Sequence, residues 1–112
     1  VKSVVNKSGL KVYIIQSIDM KRSLEDIAEA KGLDMGELLS EIEAIVNSGT
    51  KLNLDYYINE VIEEDRLHEI YSYFKEEAES ESLEEAIKEL GNDFEEEEIR
   101  LVRVKFLSDM GN

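Results

Sequence analysis

Residues 23–47 read SLEDIAEAKGLDMGELLSEIEAIVN, and this run decides the fold because its local signals agree on two helices joined by a tight turn. Ser23 suits the N-cap of a helix opening at Leu24, and Asp26 stands where a capping-box carboxylate reaches back to the cap. Ile27 and Ala28 fall on its inward face. Gly32 follows the last helical residue, where a left-handed backbone is needed and glycine adopts it without strain. Leu33 fills the corner. Asp34, with Glu37 three residues on, caps a second helix whose apolar stripe is Leu38, Leu39, Ile42, Ile45 and Val46. The segment is a helix-turn-helix unit.

In DNA-reading units of this kind the second helix enters the major groove. Here that helix, residues 35–47, carries Glu37, Glu41 and Glu43 and neither Lys nor Arg. Duplex affinity comes largely from cations that displace condensed counterions, and base reading from Arg, Lys, Asn or Gln. Three carboxylates without a cation oppose entry into the groove.

Working outward, residues 9–19 give a first helix with Leu10, Tyr13, Ile14 and Ile18, joined by Val12 and Ile15, as a broad apolar face. It closes a three-helix unit. Ser48-Gly49 ends the third helix, and residues 50–54 alternate, with Leu52 and Leu54 to one side, as a short strand or extended link does. Asp55 is expected to cap a brief helix at 56–62. Leu67, Ile70, Tyr71, Phe74 and Ala78 mark a helix over about 64–79. Ser82, with Glu85 three later, caps one bearing Leu83, Ala86, Ile87 and Leu90, stopped by Gly91. Asn92 or Asp93 then caps a last helix with Ile99, Val102, Phe106 and Met110 inside and Gly111 at its end. The expected fold is an all-α single domain over 1–112, with a helix-turn-helix half at 8–54 and an acidic helical half at 55–112.

The 112 residues suffice for one core, the hydrophobic share is 42%, and Pro is absent. Without Cys there are no disulfides, thiolate metal sites or cysteine nucleophiles, which suits a reducing cytoplasm. No apolar run approaches the roughly 20 residues needed to span a bilayer, so no membrane association is expected. The first residue is Val and not Met, which leads us to expect a piece of something longer. The net charge of -14 is uneven: residues 1–22 carry +4, 23–59 carry -6, 60–98 carry -14 and 99–112 carry +2. A free-standing nucleic-acid binder normally shows a basic balance instead.

His68 is the only histidine, so neither a metal cluster nor a Ser-His-Asp set is expected around it. The pairs Glu63-Glu64, Glu76-Glu77 and Glu84-Glu85 point about 100° apart on their helices and lack calcium-loop spacing; they read as solvated faces. Tyr71 and Phe74 fall on the core stripe, which leaves Tyr73 alone as an exposed ring for base stacking. No Walker A loop or dinucleotide fingerprint is present, so no catalytic residue and no cofactor site is assigned. The remaining candidates are phosphate contacts. Lys21 and Arg22 precede the second helix, Lys7 and Lys11 lie one turn apart on the first, and Arg100 and Arg103 pair on the last.

The runs SGLKVYIIQSID and SLEDIAEAKGLDMGELLSEIEAIVNSGTKLNLDYYI, followed by EIYSYFKE and EEIRLVRVKFLSDMGN, resemble the helix-turn-helix domain at the far C-terminus of many bacterial RecQ-type DNA helicases. The form in Bacteroidetes-like enzymes is the nearest likeness, and it covers nearly all of the chain. The linear order of several modest motifs carries it. The resemblance implies a parent enzyme that unwinds duplexes with ATP in DNA repair and recombination, its motor motifs, zinc site and winged-helix domain lying upstream of Val1. ATP and a divalent metal are expected only there.

The first functional reading is therefore a non-catalytic accessory domain that touches DNA weakly through phosphates or meets other domains of the parent helicase. A protein-interaction module docking a basic partner through the acidic half is the first alternative. A free-standing transcription regulator is the second, and the missing recognition-helix cations count against it.

Overall fold

Three helix ends carry out the punctuation of residues 19–50. The structure, a computed structural model, describes residues 7–78, 80 and 82–110, with side chains from Gly9 onward. Helices α1 (Lys7–Asp19), α2 (Leu24–Lys31) and α3 (Met35–Asn47) form the N-terminal unit. Ser23 Oγ accepts from the Asp26 N–H at 3.2 Å. Asp34 and Glu37 close a reciprocal capping box at 2.7 and 2.9 Å, so α3 starts where the sequence says it should. At the end of α2, Gly32 takes φ 67 and lets Leu33 N–H reach the Ala28 carbonyl at 2.9 Å. Gly49 repeats this after α3 with φ 102.

The end of α1 has the same hydrogen bonds, Lys21 N–H to Ile18 C=O at 2.9 Å and Arg22 N–H to Ser17 C=O at 3.0 Å. There the left-handed position is held by a lysine, Lys21, at φ 61. A side chain in that conformation costs about 1–2 kcal/mol.

Leu10, Ile14 and Ile18 of α1, Leu24, Ile27 and Ala28 of α2, and the whole stripe Leu38, Leu39, Ile42, Ile45 and Val46 of α3 are buried together. Val12, expected inside, is 50% exposed. Residues 50–54 form an extended link and not a strand, with Leu52 and Leu54 buried as the alternation required. Ser108 Oγ clasps the link, accepting from Leu52 N–H at 3.0 Å and donating to Leu52 C=O at 3.1 Å.

Asp55 does not cap α4 (Asp55–Val61); it is the first helical residue. Lys105 draws its carboxylate toward a later helix, with Nζ 2.9 Å from Asp55 Oδ1. Asn53 Oδ1 accepts from the Asp55 N–H instead.

The expected helix at 64–79 is shorter. Helix α5 (Glu64–Ser72) passes into a π-helical turn, Tyr73–Glu77, with Ala78 N–H bonded to Tyr73 C=O at 2.8 Å. Closing a hydrogen-bonded ring one residue wider changes the rotation from one residue to the next. Tyr73 is thereby turned inward to 8% exposure and is no free stacking ring. Phe74 stacks on Phe106 with centroids 5.8 Å apart, and Tyr71 meets Phe106 edge-on at 5.7 Å.

Helix α6 (Leu83–Leu90) is capped by Ser82 as expected, while only Ala86 of its apolar face is fully buried. Neither Asn92 nor Asp93 caps α7 (Glu96–Met110). The N–H groups of Asp93 and Phe94 bond back to Leu90 C=O at 3.0 Å, and Phe94 is buried. Glu98 Oε1 takes the Glu95 N–H at 2.9 Å. Helix α7 carries more than the expected stripe: Ile99, Val102 and Phe106 are buried, but so are Leu101, Val104 and Leu107. It packs on α3, α4, α5, α6 and the π turn. Met110, expected inside, is 58% exposed at the outer end. The expected stop at Gly111 lies outside the described residues.

Arg66 grips Glu98 through two hydrogen bonds at 2.6 and 3.0 Å. That hydrogen-bonded guanidinium holds the Glu98 carboxyl below the usual carboxylate range, against the opposing effect of burial. A carboxyl lowered on folding contributes stability above its unfolded value, and that stability is lost as pH falls through the folded one. Urea melts should therefore show Glu98→Gln less stable than the wild type near pH 7, with the gap closing as the pH falls through the lowered range of the folded carboxyl. A gap independent of pH would mean that the contact acts by packing alone.

Candidate nucleic-acid interface

The candidate phosphate contacts divide by what surrounds them. Lys11 is exposed on α1, and Lys21 and Arg22 are exposed in the turn between α1 and α2; none makes an ion pair with a described residue. The side chain of Lys7, one turn before Lys11, lies outside the described residues. Helix α4 fixes the turn from behind. Tyr56 donates its hydroxyl to the Arg22 carbonyl, and Tyr57 donates to Glu25 Oε2 at 2.5 Å. Burial pushes the Tyr56 phenol up to about 12, and burial together with the Glu25 carboxylate raises Tyr57. Both stay neutral donors at ordinary pH. The anchored carbonyl holds the chain at Arg22 while its side chain stays in solvent.

Lys31 adds a cation that the sequence reading missed. Its Nζ stands 4.4 Å from the centroid of the Tyr13 ring, which brings the end of α2 against α1. Eighteen residues separate the two, and no local pattern links them. Opposing this basic edge, Asp26 is exposed in the first turn of α2, while Glu25 is engaged by Tyr57.

Arg100 and Arg103 are placed differently. Arg100 donates to Glu43 at 3.3 and 3.4 Å and to Ser40 Oγ at 3.0 Å, and Arg103 Nη1 lies 3.7 Å from Glu43 Oε2. Their side chains are 12% and 15% exposed. Because α7 lies on α3, its two guanidinium groups face the α3 carboxylate. Lys105 is engaged likewise by Asp55 and Asp109; burial works against its charge, but those two carboxylates raise its pKa on balance. The +2 segment at the end of the chain is thus spent on internal ion pairs.

The same contacts change the reading of α3. Glu37 completes the capping box and Glu43 holds α7, so these carboxylates have structural work. The exposed positions of α3 include Gly36, Glu37, Ser40, Ala44 and Asn47, with no cation among them. His68 is exposed on α5. Tyr71 donates to Asp109 at 2.9 Å and packs on Phe106, so neither it nor Phe74 offers a free ring. Among the described residues no group of three or more His, Cys, Asp or Glu is arranged to hold a metal ion, and no helix is long and apolar enough to cross a membrane.

Three helices with a glycine turn between the second and third, closed by tyrosines from a short fourth, invite comparison with known domains. Residues 8–58 match the family model described as RecQ-1-like, helix-turn-helix domain. They are a RecQ-type helix-turn-helix domain. The match takes in the exposed cations Lys11, Lys21 and Arg22 and reaches both α4 tyrosines. Helices α5, α6 and α7 lie beyond it. No curated protein matches the chain.

Proposed function

We propose that this chain is a non-catalytic accessory domain of a RecQ-like ATP-dependent DNA helicase acting in DNA repair and recombination. It touches DNA at phosphates through Lys11, Lys21 and Arg22 of its RecQ-type helix-turn-helix domain and through Lys7 just before it. The observation that carries this reading is the sorting of the cations. Those of α7 are committed to carboxylates, while Lys11, Lys21 and Arg22 are exposed on the matched domain. Phosphate contact needs positive charge without base-reading geometry, which such an edge supplies. In this reading, ATP and its divalent metal belong to other domains of the parent.

Four phosphate contacts imply a log-log salt slope of about -3 to -4 on duplex DNA, with affinity on the order of 10⁻⁴ M or poorer near physiological salt. In an anisotropy titration, Lys21→Ala with Arg22→Ala should weaken binding alike on every sequence and bring the slope to about -2. Ser40→Ala and Asn47→Ala should alter no sequence preference. Tight, sequence-selective binding that disappears on changing Ser40 or Asn47 would replace this reading with that of a transcription regulator.

Lys21 gives a sharper check, because its backbone and its side chain have opposed interests. Lys21→Gly relieves about 1–2 kcal/mol of left-handed strain and gives back about 0.5–1 kcal/mol in chain entropy, so a gain of about 0.5–1 kcal/mol is expected. The same change removes a phosphate contact. The variant should melt higher and bind DNA more weakly. A variant that binds DNA as well as the wild type would remove Lys21 from the interface.

A further inference from the structure

The acidic half contains a cavity of about 470 Å³ lined by Tyr73 and Glu77 of the π turn and by Glu85, Lys88 and Glu89 of α6. Three carboxylates face one ammonium there, a local excess of two negative charges inside the segment 60–98 that carries -14. Glu85 and Glu89 are one turn apart, so both project to the same side of α6. Ser80 Oγ donates to Glu85 at 3.2 Å. Tyr73 is more than nine-tenths buried, with its ring edge-on to Phe74, and its hydroxyl lines this space without a hydrogen bond to any described residue. Burial, and then the fields of Glu89, Glu85 and Glu77, raise the phenol, which is thus a neutral group ringed by anions at ordinary pH. The hydroxyl is not sealed from water, so a bound group would exchange a water for its own polar contact there.

The size and spacing of the site select among cations. No three carboxylates among the described residues converge as a metal ion requires, with ligands at about 2.0–2.6 Å. The carboxylates stand around a wider space that suits a larger organic cation. Nucleic acid is repelled by the local charge. A guanidinium is planar, weakly hydrated and carries five donors, so it can bond several carboxylates at once while lying against an aromatic ring. An ammonium is a compact, strongly hydrated point charge that would leave most of the acceptors unfilled.

We propose that this cavity is a docking pocket for an arginine side chain on a basic segment of a protein partner. The guanidinium bridges Glu85 and Glu89 on α6 and Glu77 on the π turn, and the Tyr73 ring and hydroxyl form its floor. The π turn supplies Tyr73 and Glu77 to the site, and α6 the rest. The pocket is independent of the DNA-contacting edge, so either proposal stands if the other fails.

The test uses the full 112-residue chain and a fluorescent hexapeptide of alternating Gly and Arg, with a Gly-Lys hexapeptide and spermine as competitors. The arginine peptide should bind with salt-sensitive affinity and shift backbone amide resonances of residues 73–78 and 83–90. Glu85→Gln with Glu89→Gln should weaken it about tenfold or more, as expected for losing charge-assisted bonds. A matched pair on other faces, Glu29→Gln with Glu60→Gln, should change it by less than about twofold, since exposed charges at a distance are screened. Tyr73→Phe, which keeps the ring, should weaken the peptide about threefold while leaving the melting temperature in place, a shift that only the hydroxyl's contact explains. Equal losses from the two double variants would assign the binding to net charge and overturn the pocket. Equal or tighter binding of the lysine peptide or spermine would overturn the arginine assignment, and no binding of the arginine peptide at low salt would overturn both.

Discussion

Phe74→Ala should lower stability by about 3–5 kcal/mol, the usual loss when a buried aromatic site is emptied. The ring is buried, stacks on Phe106 at 5.8 Å and receives the edge of Tyr73 at 5.2 Å. Two of its neighbours are themselves aromatic, and rigid rings close poorly over a void, which favours the upper part of that range. The position also lies in a turn whose pitch is already disturbed, so the backbone has a ready way to loosen. Glu96→Ala, on the exposed first turn of α7, should stay within about 0.5 kcal/mol. Urea melts of the two variants decide the matter. Similar losses would mean that the ring does not fill the core as described.

The second large effect is expected at Glu43. Removing this carboxylate takes away the α3 anion that Arg100 and Arg103 share. Stranding a fully buried partner costs about 3–5 kcal/mol, and these groups retain some contact with solvent, so about 2–3 kcal/mol is expected for Glu43→Ala. Replacing Glu43, Arg100 and Arg103 together by Leu and Met should recover most of the loss, because the desolvation cost disappears with the charges. Thermal melts check both expectations. A neutral Glu43→Ala would mean that the two arginines relax freely into water.

The helix-turn-helix half was legible because its signals are local. Ser23, Gly32, Asp34 and Glu37 act on residues within five positions, and the stripe on α3 needs only its own periodicity. The acidic half was less legible because its decisive facts are not local. Asp55 reads as a cap until Lys105, fifty residues on, takes its carboxylate. Arg100 and Arg103 read as a surface pair until α7 is laid on α3. One signal was present and unused: Leu101, Val104 and Leu107 sit opposite the expected stripe, and a helix apolar on several sides is a buried one. The π turn leaves no mark of that kind. An extra residue in a helix is chosen by the packing of Tyr73 and Phe74 against their neighbours, and periodicity assumes a constant pitch. Among the candidate cations, Lys11, Lys21 and Arg22 could be named from charge alone, whereas Lys31 needed the fold to bring it to Tyr13.

Helix α7 is a shared wall, and this has a consequence for how the molecule comes apart. Leu101, Val102 and Val104 lie on a helix that meets α3 on one side and α5 and α6 on the other. Neither half can lose its order without stripping apolar surface from the other. Unfolding should therefore be one cooperative event, with tyrosine fluorescence and helical circular dichroism tracing the same curve. A shorter chain cut at residue 58, where the RecQ-type match ends, would retain every residue that defines the motif and lose the surface on which α3 rests. Such a piece would expose the α3 face that now meets α7, with Glu43 stripped of its two arginines, and its tendency to associate with itself would be a property of the cut.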